Sequence, residues 1–248
     1  MLDLKSYGAL SFDCYGTLVD WESGIVKALR SLTENLSSDA ATKYTAKKLL
    51  SRYAYHEGRI QKQYPTLKYP SILEQVYDEL AKEMKLQDRV TSQDRAAFGA
   101  SIGTWPAFPD TIAALNELGK YFKLVILSNV DKESFNNTLA GPLSGVQFDA
   151  VYVAEEIGSY KPDLRNFEYL AKHCEEDLHV PRERILQTAY ALFHDLTAAK
   201  KSGLDVCWIE RKPNAMGGEK EDLEDGIELD YSFRSLKEMA LAVDTASS

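Results

Sequence analysis

The chain has 248 residues, 44% apolar, 27% charged and 10% aromatic, with 14 glycines and 8 prolines, which excludes a disulfide-stapled miniprotein, a collagen-like repeat and a disordered chain and fits one or two globular domains. Acidic residues outnumber basic ones by 38 to 29, a formal charge of −9, so electrostatics oppose a nucleic-acid partner. Cys14, Cys174 and Cys207 form no CxxC pair, and there is neither a signal-like N-terminus nor an apolar run of about 18 residues; the expectation is a soluble cytoplasmic protein with no membrane partner.

Gly8 to Phe12 (GALSF) is the first of five short apolar runs that read as buried strands. After it the chain is of helical period over Glu22 to Asn35, Ala40 to Gln63, Ile72 to Met84 and Ser92 to Ser101, with no strand-like run between them. Such an insertion is too long for one crossover and too regular for a loop. It is expected to be an all-helical cap domain, residues 20–105, forming a lid over the sheet's carboxyl edge. The chain returns through WPAFPD at Trp105-Pro106.

From Pro109 onward helices and strands alternate: a helix over Pro109 to Lys120, strands at Phe122 to Leu127 and Ala150 to Ala154, a helix over Leu164 to Cys174, a strand at Arg184 to Thr188, a helix over Leu196 to Ser202 and a strand at Asp205 to Ile209. Alternation of this kind implies an α/β fold, a Rossmann-like parallel sheet with helices on both faces, over residues 1–19 and 106–248. The acidic stretch Lys212 to Asp230 reads as a solvated loop before a final helix at Ser235 to Val243.

Ligands of an open parallel sheet bind outside the carboxyl ends of its strands. Those ends here carry Asp13-Cys14-Tyr15-Gly16-Thr17, Ser128-Asn129, Lys161-Pro162 and His194-Asp195. A carboxylate at the first of them can attack carbon or phosphorus to give a covalent ester, or serve as a helix cap or metal ligand. Gly16 permits a sharp turn, and the Thr17 hydroxyl can donate a hydrogen bond. His194 reads either as a base or as a structural hydrogen-bonding residue. Arg52, His56 and Arg59 share one face of a predicted helix, which either closes over an anionic ligand or is a solvated basic stripe.

In their order, FDCYGTL, ILSN, SYKP and AYALFHD resemble the four motifs of the haloacid dehalogenase (HAD) superfamily, and together with CWIER they look like its L-2-haloacid dehalogenase branch. The resemblance implies Asp13 as nucleophile, Lys161 as the positive charge beside it, Asp195 fixing Lys161 or orienting the hydrolytic water, and Thr17 as a fourth catalytic residue. Tyr15, Ser128, Asn129, Phe167, Arg52 and His56 are then the substrate-binding positions. In the superfamily's phosphohydrolases the residue two beyond the nucleophile is usually an aspartic acid that protonates the leaving alcohol, and here it is Tyr15. Three further features depart from the dehalogenase branch. Phe167 stands where a tyrosine is usual, the loop from Thr188 to Leu192 lacks a Ser and an Asn that place water, and neither Arg52 nor Arg59 is an unmistakable match to the halide-binding arginine.

Three functional readings follow. The first is a 2-haloacid dehalogenase that needs no cofactor and takes a small anionic organic substrate. The second is a phosphohydrolase with magnesium held by Asp13 and Asp195. The third is a non-catalytic protein of the same fold that binds small anions. A homodimer is compatible with each.

Overall fold

The computed structural model describes residues 4–64, 67–211, 223–224 and 226–245. Six parallel strands, β1 (Ala9–Phe12), β2 (Lys123–Ser128), β3 (Ala150–Val153), β4 (Ile185–Ala189), β5 (Asp205–Ile209) and β6 (Tyr231–Phe233), form one sheet in the order β3-β2-β1-β4-β5-β6. The five expected strands are continuous apolar runs because both faces of the sheet are covered. The sixth, β6, has only three residues, none of them fully buried, so no apolar run announces it. The predicted loop from Lys212 to Asp230 lies largely outside the described residues.

The helices are α1 (Trp21–Ala28), α2 (Arg30–Thr33), α3 (Ser38–Ala41), α4 (Ala46–Gln63), α5 (Tyr69–Glu83), α6 (Ser92–Gly99), α7 (Thr111–Leu118), α8 (Lys132–Ala140), α9 (Ala154–Ile157), α10 (Arg165–Leu178), α11 (Ala198–Lys201) and α12 (Leu236–Thr245). Two long predicted helices are each broken in two. The one over Glu22 to Asn35 is interrupted at Leu29, and the one over Ala40 to Gln63 restarts at Thr45, whose hydroxyl accepts from the Lys48 N–H at 3.3 Å as a helix cap. Ahead of α11 a π-helical turn, Leu192–Thr197, carries the residues after β4. Among the described residues no helix is long and apolar enough to cross a membrane.

The chain divides into two compact units, residues 1–20, 107–132 and 143–248 in one and residues 21–106 and 133–142 in the other. In the sheet unit, α10, α11 and the π-helical turn cover one face with Phe167, Leu170, Cys174, Leu192, Leu196 and Ala199, against Val125, Leu127, Ile185 and Val206 of the strands. The strand order reverses at β1. The chain steps outward to β2 and β3, then returns to lay β4 on β1's other side. Such a switch point opens a crevice at the carboxyl ends of the two strands that flank it. The register pairs Phe12 with Thr188, so the residues following β1 and β4 emerge side by side.

In the helical unit α4 buries Leu49, Tyr53, His56 and Ile60 along one stripe, and α5 buries Ile72, Leu73, Val76, Tyr77 and Leu80, the spacing of amphipathic helices. Residues 133–142, which the sequence places with the sheet, group with these helices. A Cβ on Gly103 would lie 2.6 Å from that of Asn137 in α8, and one on Gly141 would lie 2.7 Å from the Gly103 carbonyl oxygen. Only glycine permits that approach.

Gly24, inside α1, is seated on Trp105, and an added Cβ would lie 2.4 Å from the indole Cγ. Trp105 is 2% exposed and its ring N–H donates to Ser101 Oγ, so it has no room to give. Gly24→Ala gains about 1 kcal/mol of helix propensity but overpacks a closed contact at about 1–3 kcal/mol or more. The expected result is a lower Tm by thermal denaturation, against the rise that propensity alone would give.

Candidate active site

Asp13 follows β1 directly, and its backbone N–H donates to the Thr188 carbonyl of β4 at 3.1 Å, which fixes it over the switch point. The turn beyond it closes through Leu18 N–H to Cys14 O and Gly16 N–H to Val19 O, both 2.8 Å, with Gly16 at φ 104°, a conformation that glycine alone adopts freely. This turn brings Thr17 back toward the nucleophile candidate. Its hydroxyl donates to Asp13 Oδ2 at 2.9 Å and accepts from the Tyr190 N–H at 2.9 Å.

The other carboxylate oxygen meets Lys161. Its ammonium donates to Asp13 Oδ1 at 2.9 Å, Asp195 Oδ1 at 2.6 Å and the Leu127 carbonyl at 2.8 Å. All three N–H bonds of the cation are therefore used, in a position only 3% exposed. Burial alone would push the Lys161 pKa down. The charges of Asp13 and Asp195 and the hydrogen bonds to both carry it above the usual lysine value.

Asp195 has the opposite balance. Burial and the charge of Asp13 raise it well above the usual carboxylate range, against the Lys161 charge and hydrogen bonds from Lys161 and Gln187. The Lys161 cation, shared with a second carboxylate, does not offset the burial of Asp195. Cys14, fully buried beside Asp13, has its thiol pushed up by burial and then by the Asp13 charge. It stays protonated and is no rival nucleophile.

Of the other predicted site residues, Ser128 ends β2 with its hydroxyl buried and no partner among the described residues. Asn129 is committed elsewhere. Its Nδ2 donates to the Lys161 carbonyl at 2.9 Å and its Oδ1 accepts from the Lys161 N–H at 2.7 Å, so it clamps the lysine's backbone instead of offering its amide to a ligand. Tyr15 is partly buried in the turn after β1. The His194 ring is hydrogen bonded to the Lys161 backbone, and its partial desolvation there, then the Lys161 charge, lower its pKa. Phe167 is fully buried in the core cluster on α10, so the expectation of a substrate contact gives way to packing.

Arg52 and His56 lie in the helical unit, where both side chains are engaged by an acidic neighbour. Arg52 Nε donates to both oxygens of Glu83 at 2.9 and 2.7 Å, His56 Nε2 meets Glu83 Oε2 at 3.1 Å, and Arg59 pairs with Glu79. Burial raises the Glu83 pKa, but hydrogen bonds from His56 and Arg52 outweigh it and leave Glu83 below the usual range. The basic stripe expected on this helix is thus neutralised by α5.

Gln187 escaped the sequence reading, although its signal was present as a lone amide in an apolar strand. It is fully buried in β4 and donates to Asp195 Oδ1 at 3.1 Å. A magnesium ion shared by Asp13 and Asp195 would have to compete with contacts already made, since the Lys161 ammonium bonds one oxygen of each carboxylate and Thr17 donates to the other Asp13 oxygen.

A family model described as haloacid dehalogenase-like hydrolase matches residues 7–186. An (S)-2-haloacid dehalogenase of Pseudomonas putida is 28% identical over 210 residues, 81% of this chain and 84% of that protein. A crystal structure of an L-2-haloacid dehalogenase has a TM-score of 0.76 at 22% identity, covering 98% of this chain and 100% of that one. The L-2-haloacid dehalogenase of Xanthobacter autotrophicus, with chloropropionic acid covalently bound, gives 0.74 at 18% identity over 96% and 98% of the two chains. Both structural likenesses concern the fold.

Removing the shared cation has a signed consequence. Lys161→Met leaves Asp195 buried without a positive partner, at a cost of about 3–5 kcal/mol. Its folded pKa, already raised, moves further above the unfolded value, so the folded state binds more protons and stability falls as pH rises. Urea unfolding at about pH 5 and about pH 8 is expected to show the larger loss at the higher pH; an equal loss at both would contradict the assignment.

Proposed function

Because the chain belongs to the haloacid dehalogenase-like hydrolases, we propose that it hydrolyses the carbon–halogen bond of a short 2-haloalkanoate through an ester on Asp13. An oxygen of Asp13 attacks C2 from the side opposite the halogen, the carbon–halogen pair leaves as halide, and C2 inverts. Water then adds to the Asp13 carbonyl carbon, the acyl–oxygen bond breaks, and the 2-hydroxy acid departs with an oxygen that began on Asp13. Dividing one hydrolysis into two steps is the advantage of a covalent nucleophile.

The observation that carries this reading is the bridge of Lys161 between Asp13 and Asp195. The ammonium and the Thr17 hydroxyl hold the Asp13 carboxylate in one orientation, so attack needs no reorganisation of the nucleophile. Asp195, with its raised pKa, is suited to accept a proton from the hydrolytic water near neutral pH. Halide leaves without protonation, so a tyrosine at position 15, where the phosphohydrolases carry an acid, removes nothing the first step requires. The unpartnered Ser128 hydroxyl is assigned to the substrate carboxylate. The covalently bound chloropropionic acid of the Xanthobacter autotrophicus enzyme supports the same order of events.

The test is halide release from L- and D-2-chloropropionate, with and without chelator. The expected outcome is release indifferent to chelator, faster for the L enantiomer, and reduced at least about a thousandfold in Asp13→Asn. In heavy-oxygen water, one turnover is expected to label Asp13 and leave the product hydroxyl unlabelled. Release by Asp13→Asn at the parent rate would refute the ester. Magnesium-dependent turnover of p-nitrophenyl phosphate without halide release would favour a phosphohydrolase instead.

A further inference from the structure

The end of β5 and the two residues beyond it, Trp208-Ile209-Glu210-Arg211, have no part in the chemistry above, yet two of their side chains bear on Thr17, Arg211 directly and Trp208 through Tyr190. From one side the Trp208 indole N–H donates to the Tyr190 carbonyl at 3.1 Å, and the N–H of the same Tyr190 donates to Thr17 Oγ1 at 2.9 Å. From the other side Arg211 Nε donates to the Thr17 carbonyl at 2.7 Å. Thr17 in turn donates to Asp13 Oδ2. A residue with three interactions already fixed retains little freedom to turn its hydroxyl away from the carboxylate.

Arg211 is built into this place at a cost. Its side chain is 5% exposed, its Nη1 pairs with Asp110 Oδ1 at 2.7 Å, and its guanidinium lies 4.2 Å from the centre of the Phe108 ring. Its Nη2 has no hydrogen-bond partner among the described residues, a loss that a structural residue of similar volume and no charge would not carry. The backbone at Arg211 is left-handed, φ 50°. Among the described residues the two other non-glycine positions with positive φ, Lys85 and His179, follow the ends of α5 and α10, where that conformation is ordinary helix termination. Arg211 follows a strand, so its strain has no such origin. Its launching point is fixed as well, because the Glu210 N–H donates to the Phe233 carbonyl of β6 at 2.9 Å and Ser232 Oγ donates to Glu210 Oε1 at 2.8 Å.

We propose that Trp208 and Arg211 are positioning residues for the nucleophile, Trp208 by holding the Tyr190 backbone whose N–H donates to the Thr17 hydroxyl and Arg211 by holding the Thr17 carbonyl, so that the Thr17 O–H stays on Asp13 Oδ2. The proposal rests on the reading of Asp13 as nucleophile. Neither residue touches the reacting atoms; each acts through Thr17. The Thr17 bond sets the rotation of the carboxylate plane, and misalignment of a nucleophile is costly in rate even where binding is intact.

The test is a double-mutant cycle on halide release from L-2-chloropropionate. Thr17→Val is expected to lower kcat about 10–100-fold, the value of one hydrogen bond to a charged group. Trp208→Phe, which keeps a ring and loses the donor, and Arg211→Met are each expected to lower kcat about 3–10-fold with KM little changed. In the Thr17→Val background both are expected to change kcat by less than about twofold. A residue that merely holds the fold would cost the same in either background, and that result would overturn the proposal.

A second readout needs no turnover. Amide hydrogen exchange at Tyr190, followed by NMR with core amides as control, is expected to quicken selectively in Trp208→Phe and Thr17→Val. Should Arg211→Met fail to fold, the Trp208→Phe cycle and this exchange decide the matter. A parent protein that releases no halide but shows the exchange response keeps the grip on Thr17 and loses the dehalogenase reading. Halide release abolished by Asp13→Asn, with additive Trp208→Phe and Thr17→Val effects, keeps the dehalogenase reading and ends the positioning role.

Discussion

One buried ammonium has to satisfy two carboxylates and a carbonyl, and the rest of the site is arranged around that requirement. Lys161 Nζ reaches Asp13 after β1, Leu127 in β2 and Asp195 after β4, so three segments of the sheet's carboxyl edge meet at one cation. A lysine this deeply buried is tolerable only with its three donors used and opposite charge close by. The converse constraint falls on the carboxylates. Two of them share one positive charge, and burial raises the proton affinity of Asp195. A held carboxylate and a basic carboxylate thus arise from a single arrangement, which is what a two-step hydrolysis through an ester asks for.

Around this centre the backbone is held tightly. Asn129 engages both the N–H and the carbonyl of Lys161, the turn at Gly16 returns Thr17 to Asp13, and Tyr190 supplies an N–H to the same hydroxyl. These contacts use main-chain groups of loops, which gives side chains at strand ends the precision of the sheet. The lack of a Ser and an Asn in the loop from Thr188 to Leu192 is compatible with this arrangement, because the contact to Thr17 is made by the Tyr190 backbone N–H, which any non-proline residue provides. The basic residues of the helical unit meet the same rule in a different setting. Arg52 and Arg59 pair with Glu83 and Glu79, and His56 Nε2 lies 3.1 Å from Glu83 Oε2, so these side chains are engaged within the helix pair.

The parts legible in the sequence were those written in short-range pattern. Five strands stood out because each is apolar on both faces, and the order of motifs at their ends pointed to Asp13, Lys161, Asp195 and Thr17, which the structure brings within hydrogen-bonding reach of one another. The breaks at Leu29 and Thr45 were not legible, since apolar spacing continues across them while the helices do not. Nor was β6, an edge strand of three residues.

By itself the sequence determined the α/β class, the helical insertion, the family and the chemical types at each strand end, because hydrophobic period and motif order are local properties of the chain. Only the tertiary structure decided what those residues do to one another. Lys161 and Asp13 are 148 positions apart, and they meet because the sheet sets β1, β2 and β3 side by side so that the segments after β1 and β3 emerge at one edge. The same long-range placement made Phe167 a core residue, Asn129 a backbone clamp and Gln187 and Arg211 parts of the network. Hydrogen bonds are satisfied by whichever groups folding brings within about 3 Å, and that proximity is fixed by topology and packing, which no spacing along the chain encodes.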